Sequence, residues 1–594
     1  MGDMIPISTP ELLYKYLAIA VVPVGYGSDK STTSNMVPLQ DALTALILII
    51  ASYVAHLIWS RRRVQRGIAN IPAPKSVSFW TGNLPLLYDP QRGWPFLDSI
   101  QDACSVFRLT TPIGFNDMIY VADPSALYTI FKKDEALFEE REGFMLIKRI
   151  LFGAHSVLVT EGHKHRKQRK FLNPVFSMGN IKRMLPIFFG VSHTLRESLR
   201  SLTTNGAVEV DMLSWLTRTA LEMIGQAGVG QTLDSLAIEE TSSAYGTAIK
   251  EGISALSLPS LRIGAEYLLP LASRMCTPRT WKYIIDRLPL QDVRRTKNMV
   301  DEIERTSREI YEAKKITLAK GDESTLQQVA EKDLISLLMR ANMSASGEDR
   351  LEDEEVVAQI SCPRSFVFAA TDTTSSALCR TLSLLAEHPA AQERLREEIV
   401  KALHICEGGE SRYLSHDEIQ ALQFLDAVCR ETLRLYTPTP HIDRRALEDT
   451  VLPLDSPITD VHGTEIHEIF IPKDTVLTIG IASMNRSAKL WGPDAMKWKP
   501  ERWMEELPES VLSARLPGIY SNLMTFGAGK NSCPGFRFSQ FEMKAVLCDL
   551  ISAFRFSPSP RHSKVIFSMS IIASPTVDGK PSLPLILEAV TPVV

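Results

Sequence analysis

A cysteine within a glycine-rich segment is the residue whose setting most directly suggests chemistry. Cys533 lies in the run Phe526–Gly535, which contains three glycines among ten residues. Such a run favours a shaped loop, because glycine adopts positive φ at little steric cost. Apolar residues at helical spacing follow from Phe536 and predict a helix just after the cysteine. Loop N–H groups and the positive end of that helix would stabilise a thiolate; an ordinary buried cysteine is the alternative.

A polar cluster inside an apolar stretch is the second such feature. Asp372, Thr373, Thr374 and Ser375 interrupt an apolar run that is long enough for a central helix. These side chains compete with the backbone for hydrogen bonds and are therefore unfavourable in the middle of a helix. An unfavourable sequence within a buried helix indicates a function, and an ordinary core helix is the alternative.

Charged residues at helical spacing are the remaining candidates. His165 and Arg169 lie four residues apart in the basic run 163–170, so both can reach one partner from one helix face. Glu431 and Arg434 lie three residues apart and share a face in the same way. A solvated basic face and a surface ion pair are the alternatives, and an exposed pair contributes less than about 1 kcal/mol.

The composition excludes several classes of protein. The chain has 594 residues, of which 45% are hydrophobic and 23% charged, and its net charge is −4. It has no basic excess of the kind that accompanies nucleic-acid binding. Its eight cysteines include no Cys-x-x-Cys pair, which argues against a disulfide scaffold or a zinc module and favours a reducing compartment. One large catalytic domain preceded by an anchor fits this length.

The spacing around Cys533 resembles the haem-thiolate loop of the cytochrome P450 family, with Phe seven residues before the cysteine and glycines four before and two after. Other motifs of the family occur in the expected order. Residues 369–374 resemble its oxygen-activation motif, Glu431–Arg434 its Glu-x-x-Arg helix, and Pro500–Trp503 its Pro-Glu-Arg-Phe segment. The resemblance covers about residues 71–594 and is closest to fungal members.

The resemblance implies a mainly α fold with small β sheets and a haem whose iron is bound by the Cys533 thiolate. It implies that Asp372 and Thr373 deliver protons during oxygen activation. The implied haem-binding residues are Cys533, His165, Arg169, Arg444, Phe526 and Gly527. A buried ion network that supports the haem loop is implied for Glu431, Arg434 and Arg502. The implied substrate-pocket residues are Phe366, Phe368, Ala369, Pro440 and His441.

The sequence departs from the family pattern at a few positions. Asn531 stands where the family has an arginine that pairs with a haem propionate, and a neutral amide cannot replace that bidentate group. The neighbouring Lys530 is a flexible point charge. Ala370 replaces the usual glycine of the oxygen-activation motif, and Cys362–Arg364 resembles an insertion.

The N-terminal part predicts a membrane anchor. Residues 42–59 carry no permanent charge and come close to the roughly 20 residues that cross a bilayer as a helix. Arginines at 61, 62, 63 and 66 follow, so the positive-inside rule places the rest of the chain in the cytosol. The expected organisation is a lumenal or membrane-associated segment at 1–41, the anchor, a basic and proline-rich hinge at 60–83, and the catalytic domain at 84–594. The expected location is the endoplasmic reticulum membrane, with a single pass.

The resemblance implies a monooxygenase that inserts one atom of O2 into an apolar small molecule. Electrons would come from NADPH through a separate cytochrome P450 reductase, with cytochrome b5 as a second candidate donor, because the chain has no dinucleotide fingerprint or P-loop. A reductase-independent haem-thiolate isomerase or peroxygenase is one alternative. A non-catalytic membrane protein that binds haem or lipid is the other.

Overall fold

Helices form most of the described chain, and the prediction of a mainly α fold with small sheets is confirmed. The computed structural model describes residues 39–87, 89–101, 104–111, 116–238, 269–270, 273, 291–320, 333–344, 367–407, 413–569 and 571–590. The chain divides into two units, residues 1–59 and 60–594. The α-helices are α1 (Leu39–Gly67), α2 (Leu84–Leu87), α3 (Gly93–Gln101), α4 (Pro124–Tyr128), α5 (Glu142–Phe152), α6 (Gly162–Val175), α7 (Met178–Leu202), α8 (Met212–Met223), α9 (Gln291–Lys320), α10 (Leu334–Ser344), α11 (Phe368–Glu387), α12 (Pro389–Glu407), α13 (His416–Ala421), α14 (Gln423–Leu435), α15 (Ile481–Asn485), α16 (Ala488–Trp491), α17 (Glu509–Ser513) and α18 (Phe536–Ala553).

Short strands form small sheets around these helices. The strands are β1 (Val106–Leu109), β2 (Met118–Val121), β3 (Phe138–Glu139), β4 (Val208–Asp211), β5 (His441–Ala446), β6 (Thr450–Thr459), β7 (Glu465–Ile471), β8 (Val476–Gly480), β9 (Gly518–Tyr520), β10 (Leu523–Ala528), β11 (Phe554–Pro558), β12 (Val565–Ser568), β13 (Ser574–Val577), β14 (Lys580–Pro581) and β15 (Pro584–Ala589). The largest sheet has the order β1-β2-β8-β5-β3, in which β2 and β8 are parallel and the other neighbours antiparallel. The smaller sheets are β11-β15-β4, β12-β13-β14, β6-β7 and β9-β10.

Side-chain caps fix the starts of two helices. Ser415 and Glu418 cap α13 reciprocally, each side chain accepting a hydrogen bond from the other residue's N–H. The Asp211 carboxylate caps α8 by accepting from the Leu213 N–H at 3.2 Å. The same carboxylate accepts from the Leu583 N–H at 2.8 Å. The start of α8 is therefore tied to the segment that enters β15, which pairs with β4.

Helix α11 lies at the centre of the helical part. It packs against α8, α14 and α18 and against strand β11. Residues 374–379 and 381–386 are all buried, whereas the first turn of the helix is partly exposed. The polar residues 372–375 noted in the sequence therefore lie at the boundary between the partly exposed first turn of α11 and its buried remainder.

The apolar run at 42–59 belongs to α1, which continues without a break through the arginines to Gly67. No helix within the described ranges combines the length and apolarity needed to cross a membrane. The predictions of a single-pass anchor at 42–59 and of an endoplasmic reticulum membrane location are therefore wrong. The apolar run is only part of a longer helix, and the last turns of that helix belong to the folded body. There Val64 is fully buried and Arg63 pairs with Asp449 at 2.7 Å.

Candidate active site

Cys533 lies in a closed loop between β10 and α18. Its N–H donates to the Phe526 carbonyl at 2.9 Å, which brings the two ends of the loop together. The Phe526 ring lies against the Phe536 ring, with centroids 6.1 Å apart. Cys533 is a free, half-buried thiol. Burial raises the pKa of Cys533, while the Gly535 N–H and the Arg169 guanidinium oppose this rise.

The loop turns through two glycines with positive φ. Gly527 has φ +70° and Gly529 has φ +65°, a region that side-chain-bearing residues rarely adopt. Gly529 opens the 3-10 turn Gly529–Asn531. A Cβ at Gly529 would collide with the Phe131 carbonyl and the Glu135 carboxylate. The segment around residues 131–135 therefore packs directly on the loop, and glycine is required at 529 for both conformation and space.

Helix α6 carries His165 and Arg169 next to this loop. His165 is 5% exposed, and burial, followed by the charges of Arg169, Lys530 and Lys148, lowers its pKa to about 4. The imidazole is therefore neutral at pH 7. Arg169 is half-buried, and its side chain makes no hydrogen bond or ion pair with the residues that the structure describes. Burial lowers the pKa of Arg169, and the Cys533 sulfur opposes this shift.

Arg444 on β5 lies in the same region. It is 6% exposed, and its guanidinium lies 4.0 Å from one oxygen of Glu140. Lys148 pairs with the other oxygen of Glu140 at 2.5 Å. Burial lowers the pKa of Arg444, with Glu140 the largest opposing charge. Glu140 also acts on His165, so Arg444 and His165 lie around one acidic residue.

The charges beside the loop suit an anionic group. Arg169 and Lys530 are both half-buried, and neither side chain has a polar partner in the described part of the chain. A haem carries two propionates, and a guanidinium binds a carboxylate in bidentate geometry. The free sulfur of Cys533, which interacts with Arg169, has the chemistry of an axial iron ligand. The residues present therefore fit a haem.

Asp372 and Thr373 lie in the second turn of α11, and both are half-buried. The Thr373 hydroxyl donates to the Ala369 carbonyl at 2.6 Å. The Asp372 carbonyl accepts from the Ser375 hydroxyl at 3.3 Å. Thr374, the next residue, is 2% exposed and faces the helical core. The Thr373 hydroxyl thus lies at the partly exposed face of α11, and its hydrogen bond to the helix backbone fixes the side-chain rotamer.

A buried carboxyl that the sequence reasoning missed lies behind this turn. Glu542 on α18 is fully buried, where α18 packs against α11. Burial raises the pKa of Glu542 well above the ordinary glutamate value, and the nearby Thr374 hydroxyl opposes this rise. Residues 541–551 are all buried, so an acid within that apolar helix was a signal in the sequence.

Glu431, Arg434 and Arg502 come together in one buried ion network. The two oxygens of Glu431 accept from Arg434 at 2.8 Å each, and both side chains are fully buried. Arg502 lies 3.5 Å from Glu431 and pairs with Asp494 at 2.9 Å. A charge in such a place is tolerated only because its partners are present.

Two further residues join this network and extend it towards the cysteine loop. The Trp503 indole N–H donates to Glu431 at 3.0 Å, a bond that phenylalanine cannot make. Arg434 donates to the Asn485 carbonyl at 3.1 Å, and the Asn485 side-chain oxygen accepts from the Met524 N–H at 2.8 Å. Met524 belongs to β10, which leads into the loop. No role in this network was predicted for Asn485.

Segments expected to line a substrate pocket meet beside α11. The Ser376 hydroxyl donates to the Ala573 carbonyl, and the Ala573 N–H donates to the Pro438 carbonyl at 2.7 Å. Pro440 is buried and His441 is half-buried at the start of β5. The central helix, the turn before β5 and the segment before β13 are therefore neighbours.

The other predicted pocket residues lie at the start of α11. Ala369 is exposed on the first turn. Phe366 lies outside the described residues, and so does the side chain of Phe368. The unusual segment 362–364 also lies outside them.

Comparison with known proteins identifies the family. The sequence profile of the family Cytochrome P450 matches residues 72–580. A cytochrome P450 monooxygenase of Hericium erinaceus is 41% identical over 549 residues, which are 92% of this chain and 97% of the relative. Cytochrome P450 monooxygenase 91 of Postia placenta is 43% identical over 548 residues, 90% and 98% of the two chains. Ganoderic acid synthetase of Ganoderma lucidum is 38% identical over 555 residues, 92% and 98% of the two chains. The chain belongs to the cytochrome P450 family.

Family membership confirms three predictions. The protein is a monooxygenase, its cofactor is a haem with a cysteine thiolate as axial ligand, and it requires O2, a substrate and a redox partner. The resemblance to fungal members is confirmed as well, because the relatives named above come from fungi.

Proposed function

We propose that this protein inserts one oxygen atom of O2 into an apolar small molecule, with electrons supplied by NADPH through a separate cytochrome P450 reductase. The observation that carries the proposal is the free thiol of Cys533 beside Arg169, in a loop that is closed by the hydrogen bond from the Cys533 N–H to the Phe526 carbonyl. In this proposal the catalytic domain spans 84–594 and residues 60–83 form a hinge before it.

Each residue of the site has a proposed role. Cys533 would bind the haem iron, and the Gly535 N–H stabilises its thiolate. His165, Arg169 and Arg444 would hold the propionates. The loop backbone at Phe526 and Gly527 would lie against the haem. When bound, the haem supplies the redox chemistry of oxygen activation, for which thiolate ligation favours cleavage of the O–O bond.

Proton delivery is assigned to Asp372 and Thr373. A hydroxyl that donates to the Ala369 carbonyl has its oxygen free to accept and orient a water molecule. A neighbouring carboxylate can resupply the proton that such a water passes on. The pair lies on the partly exposed face of α11, where a substrate and O2 can reach it.

The substrate is proposed to be a secondary metabolite or xenobiotic such as a terpenoid, polyaromatic or steroid. The segments that meet beside α11 include the buried prolines at 438 and 440 and few charges, which suits an apolar ligand. One relative at 38% identity is named a ganoderic acid synthetase, which supports oxidation of a secondary metabolite.

The redox partner is proposed to dock on the basic face of α6, with cytochrome b5 as a second candidate for the same face. His163, Arg166 and Lys170 are exposed, while His165 on the same helix is buried. A positive surface steers an acidic partner towards it. Because α6 also carries Arg169 next to Cys533, a partner on this face would stand close to the haem.

Replacing Thr373 with alanine tests proton delivery. The change removes the hydroxyl but leaves Cys533 and the helix in place. NADPH consumption should continue while product per NADPH falls by roughly tenfold or more, since a positioned proton-transfer group typically contributes about 100-fold or more. Hydrogen peroxide should rise to account for the electrons. NADPH, product and peroxide are measured together in a reconstituted system with reductase, using a panel of apolar substrates.

Ser375→Ala is the matched control, because it removes a neighbouring hydroxyl of α11 that bonds to the Asp372 carbonyl. We expect this variant to couple NADPH to product as the wild type does. Equal coupling in Thr373→Ala and the wild type would show that Thr373 does not deliver protons. Product formed by the wild type without reductase or NADPH would favour the peroxygenase or isomerase alternative.

A further inference from the structure

The cysteine loop lacks the arginine that the family uses to bind a propionate, and its replacement does not face the site. The side chain of Asn531 is exposed, whereas Lys530 beside it is half-buried. An exposed amide leaves the propionate position at this end of the loop without a donor from residue 531.

The backbone of the turn is fixed by contacts from outside the loop. The Lys530 N–H donates to a carboxylate oxygen of Glu135 at 2.5 Å. Gly529 has φ +65°, and it packs so closely on Phe131 and Glu135 that no side chain fits there. Glu135 therefore holds the turn in one orientation, and that orientation buries part of Lys530 while it exposes Asn531.

The Lys530 ammonium lies among the groups assigned to the propionates. It is one of the charges that lower the pKa of His165, and it opposes the burial-raised pKa of Glu161. Its side chain makes no hydrogen bond or ion pair within the described ranges, and neither does that of Arg169. Two half-buried cations, neither of them hydrogen-bonded through its side chain to a described residue, thus lie beside a buried neutral imidazole. This arrangement can accommodate an additional anionic group.

We propose that Lys530 binds a haem propionate and takes the place of the arginine that the family has one position later. The inference rests on the proposed haem site at Cys533. A lysine makes a single-point contact where an arginine makes a bidentate one, so the contact depends more strongly on ionic strength. The Glu135 contact allows Lys530 to take over this role from position 531, because it holds the turn with Lys530 and not Asn531 facing inward.

The test measures haem retention rather than activity. Ferric protein is mixed with excess apomyoglobin, and haem transfer is followed by absorbance at low and high salt. Lys530→Gln should lose haem about tenfold faster than the wild type at low salt, since a hydrogen bond between two charged groups is stronger than one from a neutral amide. The difference should shrink at high salt, because the ions screen a partly exposed pair. Lys530→Arg should retain haem at least as well as the wild type.

Two controls lie nearby. Lys133→Gln removes an exposed cation next to the Phe131 contact, and Asn531→Ala removes the exposed amide; both should lose haem at the wild-type rate. Loss from Lys530→Gln no faster than from Lys133→Gln, or faster loss from Asn531→Ala, would overturn the proposal. If Lys530→Gln purifies without haem, retention by Lys530→Arg supports the proposal and a haem-free Lys530→Arg overturns it.

The spectrum separates this inference from the function it rests on. The reduced CO complex of the wild type must show the red-shifted Soret band of thiolate ligation, and without that band the haem-thiolate site itself is refuted. With the band present in every variant and haem loss unchanged by Lys530→Gln, only the role of Lys530 is refuted.

Discussion

Replacing Cys533 with histidine should abolish both the thiolate spectrum and product formation. The hydrogen bond from the Cys533 N–H to the Phe526 carbonyl closes the loop, and the Gly535 N–H and Arg169 stabilise the charged form of the Cys533 sulfur. An imidazole cannot supply the electron density with which a thiolate favours O–O cleavage. The reduced CO complex should therefore lose its red-shifted Soret band, and no product should be detected in a reductase-coupled assay.

Cys104→Ser is the matched control, because Cys104 is also a free, half-buried thiol and its sulfur donates to the Val106 carbonyl at 2.7 Å. This variant should keep the band and the activity. Retention of the thiolate band in Cys533→His would mean that another sulfur binds the iron. The loop around Cys533 would then not be the haem-binding loop.

Glu431→Gln should lower the free energy of unfolding by about 3–5 kcal/mol, because it leaves the Arg434 charge buried without its carboxylate. Both side chains are fully buried, and Glu431 also accepts from Trp503 and from the Lys499 N–H. Urea denaturation of the holoprotein measures the loss. The haem content at purification should fall as well, since Asn485 links this network to β10 and hence to the loop.

A second Glu–Arg pair, with the same shortest distance but exposed to solvent, offers a control. Arg394 and Glu501 are also 2.8 Å apart, but their side chains are 46% and 41% exposed. Glu501→Gln should therefore cost less than about 1 kcal/mol, because solvent screens an exposed pair. Equal losses for the two variants would show that burial does not set the strength of the Glu431–Arg434 pair.

Local spacing carried much of what the sequence predicted. Glu431 and Arg434 share a helix face because they are three residues apart, and His165 and Arg169 do so at four. The helix after Cys533 begins where the apolar spacing indicated, at Phe536. The prediction that Arg502 and Arg444 lie near these residues came instead from the order of the family motifs. That order reflects the fold of the whole domain, which the spacing of neighbouring residues cannot predict.

Contacts between distant segments could not be predicted in this way. Glu135 bonds to the backbone of Lys530, 395 residues later. Backbone acceptors and donors are the same at every position, so nothing in the sequence marks the pairing. The anchor prediction rested on counting apolar residues over 42–59 alone, and no helix of the described residues is long and apolar enough to cross a membrane.

The pairing of β15 with β4 has a consequence for how the protein is made. The Asp211 carboxylate, which caps α8, meets its partner Leu583 only 372 residues later in the chain. At about 5–20 residues per second, a ribosome needs roughly 20 to 70 s to synthesise the intervening segment. During that interval β4 remains an open edge, which is a template for aggregation. During the same interval helix α8, which packs against α11, lacks the hydrogen bond between Asp211 and Leu583. Completion of the core is therefore a late event of synthesis, and slow translation prolongs the vulnerable state.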